Sequence, residues 1–263
     1  MTLGLSVVWW FLVFMEKGNC NLKRRNRRDR GSEQYAALSV PAGFMRNSSD
    51  SPTDGMKPHI IGIAGPSSSG KTELARELIR HLPGTSLISL DSYYRGMEEI
   101  PLSERKKVNF DHPDALDWQL LHQHLELLGE GRSFEEPVYS FAGYARTSET
   151  RTVAPSEFVI VEGLFVLYWP ELCARLDTKV FIETAPEVCF ARRLRRDVAE
   201  RGRTPESVRE QYERTVRPSA EWFVYPTQKY ADLVVSGEGP LTASSAAVLE
   251  ALKMPAKTYC AGA

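Results

Sequence analysis

The hydrophobic residues of this chain follow two alternating patterns from residue 59 onward. Short runs rich in Ile and Val predict strands buried on both faces, and longer segments with an apolar residue every three or four positions predict helices. The predicted strands cover 59–64, 86–90, 158–161, 179–182 and 233–235. The predicted helices cover 73–81, 116–128, 186–200, 205–217 and 220–229. This alternation favours an α/β fold, in which a parallel sheet is flanked by helices and binds ligands over the carboxyl ends of its strands.

The first 55 residues have a different pattern. Residues 3–15 are mostly large and apolar, a basic cluster follows at 23–30, and 31–58 is rich in Ser, Asn, Gly, Asp and Pro. A membrane span needs about 20 apolar residues, and a signal peptide carries its basic residues before the apolar run. We therefore expect a leader outside the folded domain, either disordered or not native, and no stable membrane insertion. The alternative is a short anchor whose aromatic rings enter lipid headgroups while its arginines contact anionic lipid.

The domain boundaries follow from these patterns. Met56 directly precedes the first predicted strand, so we predict a leader at 1–55, a catalytic domain at 56–236, and a C-terminal helix or tail at 237–263. We expect the leader to be dispensable for folding and activity.

A glycine-rich segment lies between the first predicted strand and the first predicted helix. It matches Gly-x-x-x-x-Gly-Lys-Thr completely, in the strand and helix context that forms a phosphate-binding loop. Its glycines let successive backbone N–H groups converge on phosphate oxygens, and the helix N-terminus adds partial positive charge. The lysine would contact the β and γ phosphates, and the threonine hydroxyl would bind Mg²⁺. The predicted cofactors are thus ATP and Mg²⁺, bound by Gly65, Pro66, Ser67, Ser68, Ser69, Gly70, Lys71 and Thr72.

Two carboxylates, Asp91 and Glu162, fall at the ends of predicted strands. A carboxylate beside a phosphate-binding loop can accept the proton of an acceptor hydroxyl or hold Mg²⁺ through water. The alternative for Asp91 is a helix cap or turn residue, and the alternative for Glu162 is a solvated strand end.

Composition and charge narrow the function classes. Of the 263 residues, 42% are hydrophobic and 25% are charged, which excludes a disordered, collagenous or polytopic membrane protein. The net charge of -1 gives no overall field for nucleic acid. The four cysteines lie far apart without a Cys-x-x-Cys pair, which favours reduced thiols and a cytoplasmic location. His122 and His124 are two residues apart on a predicted helix, so we expect them at the surface rather than in a metal site.

Several segments in 57–235 resemble the uridine-cytidine kinases of the phosphoribulokinase/uridine kinase group. They are Leu-Asp-Ser-Tyr-Tyr-Arg at 90–95, Asn-Phe-Asp-His-Pro-Asp-Ala at 109–115, Pro-Val-Tyr-Ser-Phe at 137–141, Val-Glu-Gly at 161–163, the arginine-rich segment 196–203 and Pro-Thr-x-Lys-Tyr-Ala-Asp at 226–232. The resemblance implies a P-loop NTPase-type fold with an arginine-bearing lid. It also implies ATP-dependent phosphorylation of the 5′-hydroxyl of uridine or cytidine in pyrimidine salvage, by a homotetramer.

The resemblance assigns roles to individual residues. Asp91 matches the proposed base near the 5′-hydroxyl, Glu162 an acidic position near the metal, and Asp111 the residue that binds the ribose hydroxyls. Tyr139 and Phe141 match the aromatic wall around the pyrimidine, although lone aromatic residues are more often part of a core. Arg193, Arg203 and Gln211 match nucleoside contacts. Arg196 and Arg201 match a mobile lid whose guanidinium groups close on the transferred phosphoryl group, with Gly202 as its hinge.

The sequence departs from the family at Tyr144, where a histidine is common. A phenol whose proton is committed to a buried acceptor offers only a lone pair to the base, which matches the amino group of cytidine. We therefore expect a tilt in substrate preference, with cytidine used better than uridine. The alternative is a tyrosine that only stacks at the rim of the pocket.

Other functions remain as alternatives. A kinase of the same group that acts on a sugar, a sugar phosphate or a small acid would keep 65–72 but lack the aromatic pair and the 109–113 segment. A regulatory GTPase would need an Asn-Lys-x-Asp motif, which the sequence lacks. A membrane-tethered binding protein would show no ATP turnover, and RNA binding by the arginine-rich segment is disfavoured because no aromatic residues are interleaved.

Overall fold

The computed structural model describes residues 57–97, 99–105, 108–141 and 143–252. Five strands form a parallel sheet in the order β2-β5-β1-β6-β7, and β3 and β4 pair as a separate antiparallel hairpin. The strands are β1 His59–Ala64, β2 Thr85–Ser89, β3 Phe134–Ser140, β4 Ala145–Val153, β5 Phe158–Glu162, β6 Thr178–Glu183 and β7 Leu233–Ser236. The α-helices are α1 Lys71–His81, α2 Leu102–Arg105, α3 Trp118–Gly129, α4 Pro170–Cys173, α5 Pro186–Ala199, α6 Pro205–Gln211, α7 Arg217–Ser219 and α8 Leu241–Leu252.

The side chains of β1 alternate between two apolar clusters, one on each face of the sheet. Ile60 and Ala64 belong to the larger cluster, which includes buried residues of α3 and of the hairpin. Ile61 and Ile63 belong to the smaller cluster, which includes buried residues of α1 and α8. Full burial of such a side chain contributes about 1.5–3 kcal/mol. The central strands are therefore fixed on both faces, and their carboxyl ends form a firm base for the loops that follow.

The strand order brings three predicted site segments to one edge of the sheet. The phosphate-binding loop follows β1, Asp91 follows β2, and Glu162 ends β5, which lies between β1 and β2. The segments that follow β2 and β5 are in close contact here, since a Cβ on Gly163 would collide with Leu90. The predicted parallel α/β sheet is thus confirmed, and the three predicted site segments meet at the carboxyl ends of its strands.

Several predicted boundaries differ from the observed ones by one or two residues, as at the end of β2 and the start of α3. Strand β2 ends at Ser89, and Leu90 begins a 3₁₀ turn, Leu90–Tyr93, that carries Asp91. Helix α3 begins at Trp118 because the side chain of Asp117 caps it by accepting a hydrogen bond from the N–H of Leu120 at 3.3 Å. Leu116 instead pairs with Tyr94 in an isolated bridge.

The region 205–230 is more continuous than the two predicted helices. A π-helical turn, Tyr212–Val216, connects α6 to α7, and a second, Ala220–Val224, leads to a 3₁₀ segment, Tyr225–Tyr230. Pro218 and Pro226 lie in this region and have no N–H to donate, so regular α-helical bonding is interrupted near each of them.

The expectation of a surface position was wrong for His124. His124 is 7% exposed, its Nδ1 is 2.9 Å from the Tyr93 hydroxyl, and its ring stacks on Phe134 with 4.0 Å between centroids. Burial lowers the pKa of His124 to about 4, with a smaller contribution from Arg146. The imidazole is therefore neutral near pH 7 and links α3 to the hairpin and to the turn that carries Asp91.

Three expectations concern the ends of the chain. The predicted leader at 1–55 and residues 253–263 of the predicted tail lie outside the described residues. Helix α8 falls within the predicted tail and packs on α1. None of the helices in the described part of the chain has the length and apolar character that crossing a membrane requires.

Candidate active site

The phosphate-binding loop is held in shape by its own backbone. The N–H of Ser69 donates to the carbonyl of Pro66 at 3.1 Å, and the Lys71 ammonium donates to the same carbonyl at 2.9 Å. Gly70 has φ of 107° where the loop turns into α1, a conformation that glycine adopts without strain. Lys71 is 8% exposed, and burial lowers its pKa, while the carboxylates of Glu162 and Asp91 oppose this change.

The same loop has polar groups suited to a phosphate. The hydroxyls of Ser68 and Ser69 are buried and have no hydrogen-bond partner among the described residues. A side chain at Gly70 would meet nothing within 4 Å, so open space lies next to the N-terminus of α1. Buried hydroxyls without partners are uncommon, and oriented donors at a helix N-terminus attract anions. These residues therefore fit a nucleotide phosphate.

Glu162 and Thr72 form the part of the site that fits Mg²⁺. The Glu162 Oε1 atom accepts hydrogen bonds from the hydroxyls of Ser89 at 2.9 Å and Thr72 at 3.4 Å. Burial raises the pKa of Glu162, as does the charge of Asp91, while Lys71 opposes the rise. The described residues contain no cluster of three His, Cys, Asp or Glu side chains suited to a metal. A hydroxyl with two carboxylates still fits Mg²⁺, because this ion shares its oxygen ligands with nucleotide phosphates.

Asp91 lies at the open mouth of the site. Its N–H donates to the hydroxyl of Ser89 at 3.4 Å, and its side chain is exposed on one side. Nearby protein atoms desolvate the carboxyl, which raises the pKa of Asp91, against the charges of Lys71, Arg201 and Arg196. The carboxyl is therefore a stronger base than a free aspartate and lies among cations that favour its ionised form.

Arginines of the hairpin hold the turn that carries Asp91. Arg146 donates to the carbonyl of Tyr94 at 3.0 Å, and Arg151 donates to the carbonyl of Leu87 at 2.6 Å. Arg151 also pairs with the buried Glu136, at 2.7 Å from Nε to Oε2. The sequence pattern did not indicate Arg146 and Arg151, because in sequence they resemble the solvated charges of an exposed strand.

The residues predicted to bind the molecule that accepts the phosphoryl group come from three separate segments and meet beside Asp91. Asp111 is buried; burial raises its pKa, and Arg193 opposes the rise. Tyr94 packs against Tyr139 with 5.3 Å between ring centroids, and against Phe141 with 5.9 Å. Phe141 is 40% exposed at the open side. Tyr94 was not singled out from the sequence, although it lies at the centre of these rings.

Tyr144 lies in the turn between β3 and β4. Its backbone has φ of 52°, and its ring stacks on Phe110 with 5.3 Å between centroids. Tyr144 therefore joins the aromatic wall through Phe110, which the sequence analysis also did not single out.

The three residues on the lid side that were predicted to contact the nucleoside are joined by hydrogen bonds. Arg193 donates to the Ser67 hydroxyl at 2.9 Å and to Gln211 Oε1 at 3.3 Å, and Arg203 donates to the same Gln211 oxygen. Arg201 lies over the ring of Phe141, 5.8 Å from its centroid. A cavity of about 10 Å³ lies between Ser67 and Asp111. It is otherwise lined mostly by apolar residues and holds no more than about one water molecule.

Residues 60–240 match the Phosphoribulokinase / Uridine kinase family. The chain belongs to this family. It is 49% identical over 187 residues to the uridine kinase of Shewanella amazonensis, covering 68% of this chain and 88% of the relative. It is 46% identical over 184 residues to the uridine kinase of Chloroflexus aurantiacus, covering 69% and 88%. The solved D-glycerate 3-kinase of Cryptococcus neoformans has the same fold, with a TM-score of 0.54 at 21% identity over 73% of this chain and 90% of that one.

These matches confirm the predicted family, the P-loop α/β fold and the enzyme class, a kinase that phosphorylates an alcohol group. The family as a whole implies use of a nucleoside triphosphate with a divalent cation. The roles of the individual residues stay predictions.

Proposed function

We propose that this protein transfers the γ-phosphoryl group of ATP to the 5′-hydroxyl of uridine or cytidine. The observation that carries the proposal is the position of Asp91, close to Lys71 of the phosphate-binding loop on the one hand and to Asp111 and the aromatic ring of Tyr94 on the other. A loop alone would fit any P-loop protein, whereas the wall provides stacking surfaces and a carboxylate for an acceptor with a ring and hydroxyls. The relatives called uridine kinase match along nearly the whole described domain, which supports the same acceptor here.

The loop residues hold the donor in this proposal. The N–H groups of 65–72 and the hydroxyls of Ser68 and Ser69 bind phosphate oxygens, and the Lys71 ammonium contacts the β and γ phosphates. Thr72, Glu162 and Asp91 hold Mg²⁺, directly or through water. When bound, Mg²⁺ neutralises charge that develops on the phosphate oxygens.

Asp91 acts as the base. As the 5′-oxygen bonds to the γ-phosphorus and the bond to ADP breaks, the hydroxyl proton passes to an Asp91 carboxylate oxygen. The raised pKa of Asp91 favours this transfer, and the adjacent cations keep the group ionised beforehand. Arg196 and Arg201 bind the transferred group, as predicted for the lid.

Asp111 binds the ribose hydroxyls, and the rings of Tyr139, Phe141 and Tyr144 surround the pyrimidine. The tilt toward cytidine rests on Tyr144 and forms part of the proposal. A role in pyrimidine salvage, a homotetrameric assembly and a cytoplasmic location follow from the family resemblance and are proposed on that basis.

A panel of acceptors tests the function. Purified protein is mixed with Mg-ATP and uridine, cytidine, purine nucleosides, sugars or small hydroxy acids, and release of ADP is followed while the product is identified by mass spectrometry. We expect ADP release with uridine and cytidine and formation of the 5′-monophosphates. Turnover only with a sugar or a small acid, or none with any acceptor, would contradict the proposal.

A further inference from the structure

Asp197, on α5, is completely buried and faces four arginine side chains. Its Oδ1 atom accepts a hydrogen bond from Arg196 Nε at 2.9 Å and lies 3.7 Å from Arg201 Nη1. Its Oδ2 atom lies 3.6 Å from Arg193 Nε and 3.5 Å from Arg203 Nη1. We refer to these five residues as the Asp197 cluster.

The local chain geometry brings the four arginines to one carboxylate. Arg193 lies four residues before Asp197 on α5, a spacing that places the two side chains on one side of the helix, and Arg201 follows just beyond the end of α5. Helix α5 ends at Ala199, and Gly202 turns the chain back with φ of 62°. The N–H of Arg203 then donates to the carbonyl of Asp197 at 3.1 Å. The turn thus returns Arg203 to the carboxylate that the helix presents.

The cluster keeps an excess of positive charge, because four guanidinium groups share one carboxylate. This charge acts on the reacting side of the site: Arg201, Arg196 and Arg193 each lower the pKa of Asp91. Arg193 also donates to the Ser67 hydroxyl in the phosphate-binding loop. The cluster therefore connects the phosphate-binding loop with the arginine-rich segment 196–203 and lies near enough to Asp91 for its charge to act there.

We propose that Asp197 is the positioning residue of the lid, whose carboxylate gathers the four guanidinium groups and aims them at the phosphate-binding loop before the nucleotide binds. The proposal rests on the proposed function. Donors that are already in place cost no reorganisation during the reaction, and they act where charge develops. Without the carboxylate, the four guanidinium groups would repel one another at short range and turn toward solvent. Asp197 touches no reacting atom and acts through the arginines.

Asp197→Asn and Asp197→Glu test the proposal, since Asn keeps the size and removes the charge while Glu keeps the charge and moves it. We expect Asp197→Asn to lower kcat by about 10²-fold, the effect of misplacing catalytic groups by about 1 Å, with a smaller change in KM for ATP. Asp197→Glu should recover part of the lost kcat and keeps the test open if the Asn variant does not fold. Asp177→Asn is the matched control, because Asp177 accepts the Ile60 N–H at 2.8 Å at the opposite end of the sheet. It should lower Tm without changing kcat.

A double-mutant cycle separates positioning from general stability. If Asp197 acts through Arg201, Asp197→Asn should cost less in an Arg201→Gln background than in the wild type. Equal costs in both backgrounds, or wild-type kcat in Asp197→Asn, would overturn the proposal.

Amide hydrogen exchange of residues 192–204 gives a readout that does not depend on the acceptor. Faster exchange in Asp197→Asn, confined to this segment, supports the positioning role even if no nucleoside is phosphorylated. Failure of the wild type in the acceptor panel would overturn the proposed function alone, whereas unchanged exchange in 192–204 would overturn the role of Asp197 alone.

Discussion

The phosphate-binding loop and the aromatic wall, which consists of Tyr139, Phe141 and Tyr144 together with Asp111, are built in different ways. The loop is one continuous segment between β1 and α1, and its lysine and backbone bond within the segment. The wall takes Asp111 from one loop, Tyr139 from β3 and Tyr144 from the hairpin turn, and the chain folds these together through ring contacts. The loop is therefore a local structure, and the wall is a product of tertiary packing.

This difference separates what is common to P-loop proteins from what is particular to this chain. A local loop can pass intact among proteins with different acceptors, because its geometry depends on few other residues. A wall assembled from separate segments changes with any one of them. Substitutions in the loop should therefore have the largest effects on activity, and substitutions in the wall the smallest.

Lys71→Ala should lower kcat/KM for ATP by about 10³-fold or more. Loss of a preorganised positive group costs about 10²–10³ in turnover, and the loss of a charge-assisted hydrogen bond to phosphate weakens binding as well. Steady-state kinetics with varied ATP measure both parts. Lys179→Ala is the control, because Lys179 lies in β6 and pairs with Asp232 at 3.1 Å. A Lys71 variant with unchanged KM and kcat would show that the lysine has been misassigned.

Asp91→Asn should lower kcat by about 10²-fold and leave ATP binding nearly intact, because it removes the base and keeps the loop. Titration of ATP binding by calorimetry, alongside turnover, separates the two effects. If turnover stays at the wild-type level, Asp91 is not the base. If binding falls with turnover, its main role is on the metal side with Glu162.

Arg201 connects the loop side of the site with the wall. The substitution Arg201→Gln should change the pH profile of kcat/KM. Arg201 lowers the pKa of Asp91, so removing its charge raises that pKa further. Activity needs ionised Asp91, so the acid limb of kcat/KM should move to higher pH in the variant. The loss of one charge-assisted contact should also lower kcat by about 10- to 100-fold. Arg214→Gln, which loses only an exposed pair with Glu210, should leave the limb in place. A limb that moves to lower pH would contradict the assigned electrostatics.

The same contrast explains how far the sequence alone could be interpreted. The five parallel strands and the loop were predictable because each is encoded in a continuous run, as in 59–72. Neither strand of the hairpin was predicted. Along β4 only Val153 is buried, so the sequence shows no alternation between an apolar and a polar face. The pairing of β4 with β3 carries a register shift between Pro137 and Tyr139, which further weakens the pattern.

In the site, sequence patterns alone indicated Asp91 but not the wall. Asp111, Tyr139 and Phe141 were singled out only through family resemblance, because an aspartate before proline and two aromatics at strand spacing fit many roles. Asp197 lies in a charge run that in sequence resembles a solvated helix face, and only tertiary packing shows that it is buried. Tyr94 and Phe110 have no distinguishing signal apart from their place in the family segments.

Tyr144→His tests the wall and should have the smallest effect. If the phenol presents a lone pair to the base, the wild type should use cytidine better than uridine, since uridine would set two acceptors against each other. Tyr144 is only partly buried, so we expect the low end of such a mismatch, about 1 kcal/mol or fivefold in kcat/KM. Histidine tolerates the positive φ of 52° at this position and can present either a donor or an acceptor. The variant should therefore gain kcat/KM for uridine but not for cytidine. Tyr230→His, at an exposed position, should leave the ratio of the two kcat/KM values unchanged. Equal use of both nucleosides by the wild type would show that Tyr144 only stacks on Phe110, and selectivity would then have to come from another part of the wall.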